Sequence, residues 1–82
     1  MLEFLLDRFE YQGYYKSKKK RRGASTGDDA TLYISVDGTG TLVWWRENRG
    51  FETTIFDGKE LKTEEEFEQL FDWLEIKRYL RW

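Results

Sequence analysis

The chain has 82 residues, a formal charge of −2 and neither cysteine nor histidine, which excludes disulfides, thiolate chemistry and the usual zinc, copper and haem ligands. A single domain of this length hides only about 60% of its unfolded surface, so its core must be small and dense. Four Trp, five Tyr and six Phe can supply that density.

Charge is segregated along the chain. Lys16, Lys18, Lys19, Lys20, Arg21 and Arg22 put six of the fourteen cations within seven residues, leaving eight cations against sixteen anions elsewhere. The body of the protein is therefore acidic, with one basic stretch.

Leu2, Leu5, Leu6 and Phe9 stand at helical spacing and predict a short amphipathic helix ending near Tyr11 or Gly13. Tyr14 and Tyr15 are equally compatible with the start of a strand. Glu3 and Asp7 interrupt the apolar side and no basic region precedes it, so the segment does not read as a targeting signal, and it is too short to span a bilayer. Residues 16–30 then hold the basic run, two glycines and Asp28 beside Asp29 without a large apolar side chain, the composition of a mobile loop. Its six cations, Lys16 to Arg22 without Ser17, are candidates for contact with phosphate or an acidic partner, because neutralising phosphates releases counterions. Glu3, Asp7 and Glu10 on the neighbouring helix have the wrong sign for an anionic membrane.

From Thr31 the period becomes two. Leu32, Ile34 and Val36 alternate with Tyr33 and Ser35, and Asp37, Gly38, Thr39 and Gly40 form a turn. Residues 41–47 and 51–56 make the second and third strands, joined through Asn48, Arg49 and Gly50. Pairing Glu47 with Phe51 puts Val43, Trp45, Phe51 and Ile55 on one face. The other face receives Tyr33, Trp44, Arg46 and Phe56, a composition that matches binding hot spots.

Residues 63–82 predict one closing amphipathic helix. Thr63 and Glu66 have the spacing of a capping box, Phe67, Leu70, Phe71 and Leu74 form its apolar stripe, and Leu61 is expected to fold back on the core just before it. Trp73, Ile76, Leu80 and Trp82 widen that stripe and offer a seam for homo-oligomers. Glu64, Glu68, Asp72 and Glu75 line the wet face, where a row of carboxylates can present negative charge to a basic partner.

The fold expected is α+β in a single domain over residues 1–82: a short N-terminal helix, a three-stranded antiparallel meander and a C-terminal helix. That element order is also the order of double-stranded-RNA-binding domains. Where those domains carry a lysine cluster, however, this chain reads Thr63, Glu64, Glu65, Glu66, which repels phosphate. Gly38, Thr39 and Gly40 lead into a strand, which does not suit a phosphate-binding loop, and no serine lies in a nucleophile elbow. No catalytic residue, metal site or cofactor is expected. The function expected is a small cytoplasmic, non-enzymatic interaction protein with a protein partner, resembling in size and acidity the phage and mobile-element inhibitors of nucleic-acid-handling enzymes. Direct binding of RNA or single-stranded DNA, through the basic loop and the aromatic sheet face, is the alternative.

Overall fold

A computed structural model describes residues 2–18, 21–22, 29–47 and 50–77, with Arg21, Arg22 and Asp29 described by backbone alone. The chain opens with a 3-10 turn, Glu3–Asp7, followed by strands β1 (Phe9–Tyr11), β2 (Tyr15–Ser17), β3 (Arg21–Arg22), β4 (Asp29–Asp37), β5 (Gly40–Glu47) and β6 (Glu52–Gly58), and helix α1 (Glu64–Ile76). All pairings are antiparallel in the order β1-β2-β4-β5-β6, with β3 also on β4. The class is α+β as expected, but the order of a helix, three strands and a helix is not. The likeness in element order to double-stranded-RNA-binding domains goes with it.

The N-terminal helix is replaced by a turn and a strand. Leu5 is buried from the 3-10 turn and Phe9 from β1, so two inward positions achieve the burial that a helical face would have given. So short an α-helix would also have to overcome an unfavourable nucleation step. Gly13, at φ 86°, reverses the chain within the three-residue connection that brings Tyr11 opposite Tyr15.

Nor are residues 16–30 a single loop. Lys16 and Ser17 belong to β2, Arg21 and Arg22 to β3, and Asp29 and Ala30 to β4. Lys16 lies opposite Tyr33 and Arg21 opposite Ala30, an offset of two, so β2 and β3 run as one interrupted strand along β4. At the interruption the buried Ser17 Oγ accepts the Leu32 N–H at 3.1 Å, which keeps the ladder satisfied. Lys19, Lys20 and residues 23–28 lie outside the described residues.

β4, β5 and β6 follow the alternation. Leu32, Ile34, Val43 and Trp45 are buried, and Phe67, Leu70, Phe71 and Leu74 of α1 pack over them. The capping box forms as read: Thr63 Oγ1 accepts the Glu66 N–H at 3.2 Å, and Glu66 Oε1 accepts the Thr63 N–H at 3.3 Å. Lys77 caps the other end, and residues 78–82, including Leu80 and Trp82, lie outside the described residues. The 3-10 turn joins α1 on the same side of the sheet. Phe4 lies 5.6 Å from Phe67, Phe9 stacks 6.0 Å from Phe71, and Arg8 sits 5.6 Å from the Phe71 ring while its guanidinium pairs with Glu68 at 3.3 Å. Leu61 folds back as expected, its N–H donating to the buried Thr41 Oγ1 at 3.0 Å.

One irregularity changes a face assignment. β6 pairs Thr54 with Trp44 but Phe56 with Val43, so Ile55 is the extra residue of a bulge. Beyond that point the alternation inverts. Phe56 turns toward the helix side and packs against the core, instead of joining Tyr33 and Trp44. Phe51, expected on the core face, is 64% exposed beside the turn.

Candidate binding face of the sheet

Residues directly opposite one another in an antiparallel sheet project to the same side. Glu10, Lys16, Tyr33, Trp44 and Thr54 therefore form one row across five strands, and Thr31, Arg46 and Glu52 form the next. This side is opposite to the one that α1 and the 3-10 turn cover. Among the described residues no helix lies over it.

The row is bound into a cluster. Tyr33 and Trp44 stack at 5.3 Å with their planes 13° apart, and Tyr14, at the β1–β2 connection, tilts onto both at 5.6 and 6.3 Å. The Arg46 guanidinium lies 5.9 Å from the Tyr33 ring centroid, within cation–π range, and donates to Glu52 Oε2 at 2.8 Å. Glu52, through that hydrogen bond and its charge, raises the Arg46 pKa above its ordinary value. Tyr33 is only 9% exposed because its neighbours cover it, whereas Tyr14 is 37% exposed and Trp44 is half-buried. Tyr33 is thus the floor of the cluster, and Tyr14, Trp44 and Arg46 are its accessible surface.

Of the residues read as partner contacts, the structure brings Tyr33, Trp44 and Arg46 together and leaves Phe56 on the other side. Glu64, Glu68, Asp72 and Glu75 are exposed on α1, with the sheet between them and the aromatic row. One flat partner cannot touch both surfaces. Glu68 is also engaged by Arg8. Of the basic run, Lys16 enters the aromatic row, Lys18 is exposed next to it, Arg21 and Arg22 continue the same edge by backbone, and Lys19 and Lys20 lie outside the described residues. Tyr14 was not singled out from sequence. Its signal is the glycine turn beside it, which becomes informative once 15–17 is read as a strand.

Among the described residues, no three His, Cys, Asp or Glu side chains are grouped to hold a metal ion, and no helix is long and apolar enough to cross a membrane. What the face offers chemically is planar π surface beside a fixed guanidinium, held rigid by cross-strand stacking. Such a surface suits recognition. Compared with protein-family models, curated proteins and solved structures, the chain has no significant match.

Proposed function

We propose that the chain is a small non-enzymatic interaction protein that binds a protein partner through the uncovered sheet face. The observation that carries this reading is the packed group of Tyr14, Tyr33, Trp44 and Arg46, residue types that dominate the energetics of protein interfaces. Charge balance favours a protein over a polyanion. Arg46 is paired with Glu52, and Lys16 stands opposite Glu10, so the two cations within the rows each have a carboxylate neighbour. A pre-stacked cluster also loses little side-chain entropy on docking.

In biological terms the reading assigns the chain to cytoplasmic inhibitors of nucleic-acid-handling enzymes, of the kind phages and mobile elements carry. The acidic row on α1 is a separate surface available to a basic region of the same or another protein. The experiment is capture from native-host extract on the immobilised chain, with the captured protein identified by mass spectrometry. A partner retained by the parent chain and by Asp72→Lys, but lost by Arg46→Glu and by Trp44→Ala, supports the face. The opposite pattern assigns binding to the helix.

Direct nucleic-acid binding is the second reading, favoured by Lys16 standing opposite Tyr33 in the row and by the Arg21–Arg22 strand continuing its edge. It predicts a logarithmic salt slope of roughly −4 to −5 from six cations at about −0.7 to −0.9 per phosphate. Stacking of a base on Trp44 adds about 1–3 kcal/mol. Absence of binding to labelled single- and double-stranded oligonucleotides at low salt removes this reading. Salt-sensitive binding, lost when the six cations become Gln, replaces the first reading with it.

A further inference from the structure

Among the described residues, the two ends of the strand order differ. β1 offers three residues, whereas β6 offers seven, and among the described residues no strand pairs with the outer side of β6. The Glu47 N–H donates to the Phe51 carbonyl at 2.8 Å, which makes those two a hydrogen-bonded pair. Pairs alternate along an antiparallel ladder, so Glu52 and Thr54 turn their N–H and C=O groups outward. Only another extended chain can satisfy such a row of alternating donors and acceptors with main-chain bonds.

A groove runs beside this edge on the helix side. Phe56, Leu61, Leu70 and Trp73 form its apolar walls, Glu66 and Gln69 its polar margin, and its volume is about 330 Å³. The bulge that carried Phe56 away from the open face is what places its ring here. Trp73 is 41% exposed, so part of its ring is accessible beside the groove.

We propose that β6 and this groove take an extended segment of a partner protein, basic and apolar in alternation, which adds a strand to the sheet and sets one large apolar side chain between Phe56 and Trp73. Charge selects the occupant. Asp57, Glu60 and Glu66 flank the site against Lys59 and Lys62, Lys62 is itself 3.7 Å from Glu60, and Glu52 at the start of the strand is held by Arg46. A second copy of the chain would bring the same carboxylates into opposition, which is unfavourable across a strand pair, whereas Lys or Arg on the added strand neutralises them. Neither Trp44 nor Arg46 lines the groove, so this site is tested separately from the open face.

The test is selection from a displayed library of random nine-residue peptides on the intact chain, followed by titration of the resynthesised winners. Winners are expected to carry Phe, Trp or Leu with Lys or Arg two positions away. Their affinity is expected to fall about tenfold or more for Thr54→Pro, which deletes a donor turned away from β5, and for Trp73→Ala, and to hold for Trp44→Ala. Melting curves accompany each variant. Should Thr54→Pro unfold, amide exchange of Glu52 and Thr54 in the parent chain replaces it: slowing on peptide addition supports the strand, and unchanged exchange overturns it. The proposal is also overturned if no peptide is selected, if winners are acidic or indifferent to both variants, or if the chain sediments as a dimer that Thr54→Pro dissolves, which would give the edge to a second copy.

Discussion

Trp44 and Trp45 are neighbours in sequence and sit on opposite faces of the sheet, so truncating each in turn tests the architecture on which the binding face depends. Trp45 is 1% exposed and belongs to the core under α1. Its replacement by Ala removes a large buried ring and leaves a cavity, at a cost of about 3–5 kcal/mol. An 82-residue domain has about 4–12 kcal/mol in total at roughly 0.05–0.15 kcal/mol per residue, so that variant loses a large share of its stability. Trp44 is half-buried against Tyr33 and Tyr14. Its loss removes stacking worth about 0.5–1.5 kcal/mol and part of a ring's burial, so roughly 1–3 kcal/mol in all. Urea unfolding followed by circular dichroism gives both values, and Trp45→Phe supplies a milder core variant if Trp45→Ala does not fold. Equal destabilisation by Trp44→Ala and Trp45→Ala would mean that both faces are core, and the binding face would not exist.

Thr63→Ala should lower stability by about 0.5–2 kcal/mol with an unchanged denaturant slope, because it removes both the acceptor for Glu66 N–H and the partner of the Glu66 carboxylate; an unmoved midpoint would contradict the capping box. Gly40→Ala should destabilise by about 1–3 kcal/mol, since Gly40 has φ 154° and a Cβ there collides with the Gly58 carbonyl oxygen, and a melting temperature equal to the parent's would refute that close approach. The Thr39 hydroxyl and N–H, with the Gly40 N–H, hold the Asp37 carboxyl below the usual aspartate value. A pKa lowered by folding contributes stability that is present above the unfolded value and lost as pH falls through the folded one. An NMR titration of the Asp37 carboxyl carbon should therefore show a depressed midpoint that Thr39→Ala raises toward normal, and a midpoint unaffected by Thr39→Ala would contradict this. Trp73 and Ile76 are 41% and 77% exposed, and sedimentation at several concentrations reads whether they form a homo-oligomer seam: a monomer throughout removes it.

The parts of the fold that were legible in sequence are those whose signal is local and repeated. The α1 stripe recurs over three turns, its cap is a two-residue device, and the hairpin pairing Glu47 with Phe51 follows from a short connection with Gly50 at φ 92°. What escaped depends on distant partners. The spacing from Leu2 to Phe9 fits a helix as well as a 3-10 turn and a strand, and only the presence of Phe71 and Tyr15 across the core decides between them. The cations Arg21 and Arg22 carry no apolar alternation, yet an edge position on β4 tolerates charge, so a strand formed where composition indicated a loop. Phe56 illustrates the same limit within one strand. A bulge adds one residue without altering the sequence's alternation, and the side chain changes face. For the site, Tyr33, Trp44 and Arg46 were readable from period two, while Tyr14 required the β1–β2 connection to be known.

The aromatic face opposite α1 is the surface we propose for the partner. Its most direct measurement is the affinity of the captured partner for Arg46→Glu beside that for Asp72→Lys, each by titration and each with a melting curve. Arg46 stands in the cluster and Asp72 on the far side of the sheet, and neither is in the core. Arg46→Glu is expected to weaken binding by about tenfold or more while Asp72→Lys leaves it within about twofold. Binding that survives Arg46→Glu and fails with Asp72→Lys would contradict it.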